Sequence, residues 1–199
     1  LSFQANLFAC IIAKILNYRL ILRLNTSPNK YINNNFKKFL FKQIYKTADE
    51  IIVNSKQFKN LLKKHLKISS KFIYNPVIFD FKIKKKNNKF DKKLKILNIG
   101  RLTDQKDQIT LLKALNLLKN NNIPFSAKII GSGYKYDELE NYIKQNNLKN
   151  EIKLLGYKEK AYEFMNKASV FILSSKYEGL PNVLLEAQQF NLPIISTNC

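Results

Sequence analysis

The sequence predicts an α/β protein built on parallel sheet, with helices flanking the strands, and three observations predict it. Short runs rich in Ile, Leu and Val alternate with helical repeats. All five glycines, Gly100, Gly131, Gly133, Gly156 and Gly179, fall in the second half, four of them at or soon after an apolar run. A stretch almost free of apolar residues divides the chain. Strands buried on both faces read as unbroken apolar runs rather than alternating ones. Strand and helix in alternation mean βαβ units, with right-handed crossovers.

Taken in order, residues 6–16 read as a helix and 19–24 as a strand. A helix follows over 36–45, then a strand over 50–54, a helix over 56–65 and a strand over 71–74. Residues 82–93 are nearly all Lys, Asn and Asp, which cannot bury a core and read as a linker. Beyond it the strands are sharper: 95–99, 127–130, 152–155, 170–173 and 194–196. Between them Ile109, Leu112, Leu115 and Leu118 make one apolar stripe, and Leu139, Tyr142 and Ile143 another. Residues 161–168 and 183–190 complete the helices, with Pro193 closing the last. This divides the chain into a first domain over 1–80, a linker over 81–93 and a second domain over 94–199. The chain starts at Leu1 and stops at Cys199 directly after an apolar run, and it reads as a fragment.

Composition narrows the function classes. Apolar residues make up 45% of the 199, enough for a core. Cys10 and Cys199 stand at opposite ends, which is neither a disulfide framework nor a metal cluster and points to a reducing, cytosolic setting. With His65 as the single histidine, no site needing two is available. The apolar segment from Leu7 to Leu16 is interrupted by Lys14 and is too short to span a bilayer. The formal charge is +21, and residues 1–93 hold 21 Lys and Arg against 4 Asp and Glu. That excess fits either an acidic partner, such as lipid headgroups or nucleic acid, or an AT-rich coding bias that also explains the abundant Asn and Ile. Tyr31, Phe36, Phe39, Phe41 and Tyr45 interleave with Lys37, Lys38, Lys42 and Lys46. Such a helix stacks on bases, lies at a lipid surface, or, more commonly, packs its aromatics inward and solvates its lysines.

In open α/β sheets ligands bind beyond the carboxyl ends of the strands. After the strand at 95–99 comes Gly100-Arg101-Leu102-Thr103-Asp104-Gln105-Lys106. The glycine permits a tight turn, and a guanidinium fork plus an ammonium suit a diphosphate, although ordinary surface charges would look the same. After the strand at 170–173 comes a loop shaped by Gly179 and Pro181, with Asn182 as N-cap of a helix starting near Val183. The first turn of that helix is ready for an anion. Glu178 precedes the helix and Glu186 lies one turn inside it. Acids near a helix start are favourable on dipole grounds alone. Carboxylates also accept hydrogen bonds from sugar hydroxyls, so one ligand carrying both phosphate and sugar accounts for the set. Gly131-Ser132-Gly133 lacks the third glycine of a dinucleotide fingerprint.

Gly100-Arg101-Leu102 with Lys106, followed by Glu178-Gly-Leu-Pro-Asn-Val-Leu-Leu-Glu186, resembles the GT4 family of retaining glycosyltransferases of the GT-B fold, and the two glutamates match its E-x7-E motif. Ala48 to Ser55 and Tyr74-Asn75-Pro76-Val77 resemble the last strands of that family's first domain and the start of its interdomain linker. Ser2-Phe3-Gln4 and Arg23 are similar too. The resemblance implies two Rossmann-like domains, the first only partly present. It implies a sugar moved from a UDP- or GDP-sugar to a glycan or polyprenyl-linked acceptor, with retention and without a metal or other cofactor. Arg101 and Lys106 would hold the diphosphate, Glu178 the donor sugar and Glu186 the ribose. The backbone through Gly179, Leu180, Pro181, Asn182 and Val183 would cradle phosphate or sugar, and Tyr157 and Lys158 would sit beside the base. The family's early glycine-rich loop and sugar-side histidine have no counterpart here, and His65 lies in a helix well past that region. The basic first half would meet the inner face of a membrane, with no specific nucleic acid partner. A sugar-nucleotide epimerase, a glycogen-type synthase and a non-enzymatic basic module that binds nucleic acid are the rival readings.

Overall fold

The computed structural model describes residues 3–25, 35–76 and 93–199. Residues 81–92 of the expected linker, together with Ser2, Tyr31 and Val77, lie outside them. The chain forms two compact units, Leu1–Pro76 with Glu178–Leu180, and Val77–Tyr177 with Pro181–Cys199.

In the first unit a parallel three-stranded sheet runs β1 (Ile21–Leu24), β2 (Glu50–Val53), β3 (Lys71–Phe72) in spatial order. It is accompanied by α1 (Phe3–Ile15), α2 (Asn35–Tyr45) and α3 (Lys56–Leu66). Helix α3 starts where Ser55 Oγ accepts the Phe58 N–H at 3.2 Å and ends at Lys67, whose φ of 55° places it in the left-handed region. Its Phe58, Leu62 and Leu66 pack with Leu22, Leu24, Ile51 and Val53. In α2, Phe41 and Tyr45 turn inward and meet edge to face, with ring centroids 5.2 Å apart. Phe36, Phe39 and Leu40 do not follow them and stay exposed, contrary to the inward packing of all the aromatics. The strand expected over 71–74 stops at Phe72, because only Ile52 and Val53 of the short β2 remain to pair with it.

The second unit holds a parallel five-stranded sheet: β4 (Leu94–Ile99), β5 (Phe125–Ile130), β6 (Ile152–Leu154), β7 (Val170–Leu173) and β8 (Ile194–Ser196), in the order β6-β5-β4-β7-β8. Two cores cover its two faces. On one, α4 (Gln108–Asn120) and α5 (Tyr136–Gln145) bury Leu111, Leu112, Leu115, Leu139 and Ile143 against Ile96, Ala127 and Ile129. On the other, Met165 of a 3-10 helix (Ala161–Lys167) and Ala187 of α6 (Asn182–Gln189) pack on Leu97, Ile130 and Phe171. The segment read as a short helix over 161–168 is therefore 3-10, closed by the Ala168 N–H on the Met165 carbonyl, three residues back. Ile96 and Leu97, neighbours in β4, face opposite cores, which is why consecutive residues there are both apolar.

Candidate functional site

The strand order reverses between β4 and β7. Chain order runs outward from β4 to β6 on one side and from β7 to β8 on the other, so the crevice beyond the carboxyl ends of β4 and β7 is the switch point where α/β sheets bind ligands. The strands part there. β4 and β5 stay in register over six residue pairs, whereas β4 and β7 are paired only at Ile96–Val170 and Leu97–Phe171. One residue on, the buried Asn98 side chain replaces the ladder, donating its amide to the Ile172 carbonyl at 2.8 Å. Its Oδ1 is buried without a hydrogen-bond partner among the described residues.

The loop after β4 is built rather than floppy. Leu102, 1% exposed, pins it into the core under α4. The Leu102 N–H donates to the Ser132 carbonyl at 2.9 Å, and the Leu102 carbonyl accepts the Lys135 N–H. That approach explains Gly131-Ser132-Gly133. A Cβ on Gly131 would stand 1.9 Å from the Gly100 oxygen, and one on Gly133 2.2 Å from the Leu102 oxygen. These glycines make room for the β4 loop. Gln108, buried at the start of α4, donates to the Arg101 carbonyl at 3.0 Å. Arg101 is thereby held at the backbone while its side chain is exposed. The Lys106 stem lies over Gly100, its Cγ, Cδ and Cε 3.5–3.6 Å from where a Cβ would be, an ordinary packing distance that sets the lysine beside the end of β4. On the rim, Asp104 accepts the Tyr134 hydroxyl at 2.7 Å and pairs with Lys135 at 3.0 Å. These contacts hold its carboxyl below the usual carboxylate range, the tyrosine contributing most.

The loop after β7 is tied to this one. Ser174, 4% exposed, donates its hydroxyl to the Lys106 carbonyl at 2.9 Å. Gln105 donates Nε2 to the Tyr177 carbonyl at 3.0 Å, and its own carbonyl accepts the Lys176 N–H at 2.8 Å. Thr197, after β8, closes the far side by donating Oγ1 to the Ser175 carbonyl at 2.6 Å. Helix α6 follows. Asn182, expected as its N-cap, is instead its first helical residue, and Pro181 caps it without a side-chain bond. The reason is in the backbone: the Pro181 carbonyl takes the Leu184 N–H at 3.0 Å, so the first turn closes one residue early. Glu186 lies one turn in, half-buried, and burial pushes its carboxyl pKa up.

Of the residues singled out in the sequence, the second unit gathers Gly100, Arg101, Lys106, Pro181, Asn182, Val183 and Glu186 behind two adjacent parallel strands. Tyr157 and Lys158, both exposed, follow the edge strand β6, on the same rim but two strands, about 10 Å, from β4. Glu178, Gly179 and Leu180 group with the first unit. In that unit Arg23 donates to Asn75 Oδ1 at 2.6 Å, joining two stretches singled out separately in the sequence, and His65 lies near the end of α3. Sequence reasoning missed Asn98, Gln105, Gln108 and Ser174. Asn98 left a trace, as a polar residue inside an apolar strand run; the other three look like ordinary loop polarity. Among the described residues no three His, Cys, Asp or Glu side chains gather as metal ligands.

A sequence model described as glycosyl transferases group 1 matches residues 79–199. The chain belongs to this family. An uncharacterized glycosyltransferase of Methanocaldococcus jannaschii is 31% identical over 92% of the chain and 49% of its own length. A Campylobacter jejuni enzyme named as a diphospho-undecaprenol 4-alpha-N-acetylgalactosaminyltransferase is 33% identical over 90% of the chain and 51% of its own. The chain thus spans about half the length of these group 1 relatives. The crystal structure of Anabaena HepE with UDP-glucose superposes with a TM-score of 0.80 at 20% identity, over all of this chain and 58% of that one. At that identity the likeness speaks for fold: the group 1 chain has the GT-B type of α/β fold.

Proposed function

We propose that the whole protein transfers a sugar from a nucleotide-sugar donor to a lipid-linked or growing glycan, with retention at the anomeric carbon and without a bound metal. One observation carries the reading. The loop bearing Arg101 and Lys106 and the loop leading to α6 follow adjacent strands at the switch point and are hydrogen-bonded to each other. Two cations and the positive end of a helix suit a diphosphate. The bond from the sugar C1 to the diphosphate oxygen breaks, and its electron pair leaves with the nucleotide. The acceptor hydroxyl forms the new C1–O bond, and its proton passes to the departing diphosphate oxygen. Arg101 and Lys106 meet the charge that builds on the leaving diphosphate, where a preformed electrostatic partner acts most. Glu186 accepts from ribose hydroxyls and Glu178 faces the donor sugar.

The named undecaprenol substrate of the Campylobacter relative supports a polyprenyl-linked acceptor. Phe36, Phe39 and Leu40 stand exposed on the same helix as Lys38 and Lys42, which supports peripheral contact with an anionic membrane surface. No helix among the described residues is long and apolar enough to cross a membrane.

The test is release of nucleoside diphosphate by the full-length protein, with and without acceptor, over a panel of nucleotide sugars. Arg101→Ala and Lys106→Ala should each lower kcat about 10²–10³-fold, the range for removing one transition-state charge partner. Glu178→Ala and Glu186→Ala should impair donor use. The anomeric signal of the product reports retention, and activity in excess EDTA reports the metal requirement. No release from any donor, or release indifferent to all four variants, removes this reading.

A further inference from the structure

The two loops at the switch point are joined by more than proximity. Gln105 both donates and accepts across the gap: its side chain holds the Tyr177 carbonyl at 3.0 Å, and its carbonyl holds the Lys176 N–H at 2.8 Å. Ser174, buried at the end of β7, reaches the other way and holds the Lys106 carbonyl at 2.9 Å. Lys176 Nζ stands 3.8 Å from Asp107 Oδ1, a contact too exposed on the lysine side to add much. The joint matters because β4 and β7 have already stopped pairing at Leu97 and Phe171. Beyond that point no ladder fixes the spacing between the two loops. These side-chain bonds, with that of Asn98, take its place.

We propose that Gln105 and Ser174 are positioning residues that lock the β4 loop, with Arg101 and Lys106, to residues 174–177 of the β7 loop, so that the two loops move as one body. The catalytic consequence rests on the function proposed above. The cations meeting the leaving diphosphate and the β7 loop beside them must keep a fixed separation through the transition state, and misplacement on the scale of 1 Å is enough to cost about a hundredfold in rate. Neither residue has to touch the donor. Each holds a main-chain carbonyl, and the main chain holds the groups that act.

The test uses Ser174→Ala, Gln105→Glu and the conservative Ser174→Thr in the full-length protein, read in two ways. Amide hydrogen exchange reads the latch without any assay of activity. Ser174→Ala, although it lies in the β7 loop, should speed exchange at least about fivefold in residues 101–107 as well as 174–177, and Gln105→Glu should do the same from the other side. Ser174→Thr, which keeps the hydroxyl, should restore parental exchange in both loops. Turnover reads the consequence. Ser174→Ala and Gln105→Glu should each lower kcat at least tenfold while the nucleoside diphosphate Kd, measured by calorimetry, changes less than about threefold. The double variant should be no worse than the poorer single one, because both act on one joint. Exchange that rises only in the mutated loop overturns the inference, whatever the activity. So does kcat unchanged in both variants, or a loss spread over the whole exchange map with a matching fall in Tm. If the parent protein transfers no sugar, the function reading falls by itself, and the exchange pattern still decides whether the latch exists.

Discussion

Glu186 is half-buried, and desolvation raises its pKa above the ordinary value. As pH rises, the unfolded chain loses this proton before the folded one does. The stability tied to Glu186 is therefore greatest below the unfolded pKa, about 4.3, and falls as pH climbs through the raised folded value. Glu186→Gln removes this dependence. Scanning calorimetry should find its Tm level with the parent at pH 4 and above it at pH 8. On the function proposed above, donor binding should move the opposite way, weakening about tenfold, since an amide is a poorer acceptor of hydroxyl hydrogen bonds than a carboxylate. A residue whose replacement steadies the empty protein while spoiling its ligand is held for the ligand. Should both fall together, Glu186 is structural. The rim carboxylate Asp104 carries the opposite sign: its lowered pKa adds stability that is present above the unfolded pKa and is lost as pH falls.

The elements were legible to the extent that one local signal set them. Apolar stripes located α4 and α5, and the Ile- and Leu-rich runs located β4 to β8 within a residue or two. The misreadings came where a neighbour decided. The segment after β6 closes as a 3-10 helix with Met165 packed into the core, and α6 begins at a proline carbonyl rather than at an asparagine side chain. Gly131 is the clearest case of an element-level constraint invisible in the local sequence. It follows a strand, as turn glycines do, yet what it serves is the oxygen of Gly100 in another loop, with a φ of 148° besides. Gly131→Ala is expected to cost about 2–4 kcal/mol, the range for strain combined with a backbone clash, and to lower the denaturation midpoint. Gly156→Ala offers a comparison: nothing lies within 4 Å of a Cβ there, so only the φ of 66° opposes it and its cost should stay near 1–2 kcal/mol.

For the whole molecule the charge distribution makes the sharpest prediction. Residues 1–93 carry most of the +21 excess, and α1 and α2 leave Phe8, Ile11, Ile12, Ile15, Phe36 and Phe39 exposed in the same stretch. Scattered apolar exposure is ordinary on a protein surface; here it shares two helices with cations. Vesicles containing anionic lipid should bind the protein at low salt, and raising the salt from about 50 to 500 mM should remove most of the binding as the screening length shortens. Neutral vesicles should bind far less. Equal binding to both kinds would mean that the basic first half has no membrane role. Binding to any nucleic acid with the same salt dependence, untouched by Glu178→Ala, would restore the rival reading of a basic module.

The sequence by itself determined the fold class and the order of its elements, because strand and helix periodicity and loop glycines are written within a few residues of where they act. It also set Arg101 and Lys106 after β4, and Glu178 and Glu186 after β7, since that much follows from chain order alone. Tertiary structure decided which strands became neighbours, and so that β4 and β7 stand side by side with their loops in contact. It decided too that Gly131 makes room for a carbonyl, that α2 turns only some of its aromatics inward, and that Gln105 and Ser174 hold one loop to the other. Hydrogen bonds spanning some seventy residues leave no periodic trace in a sequence. They exist only once the sheet has brought their ends together.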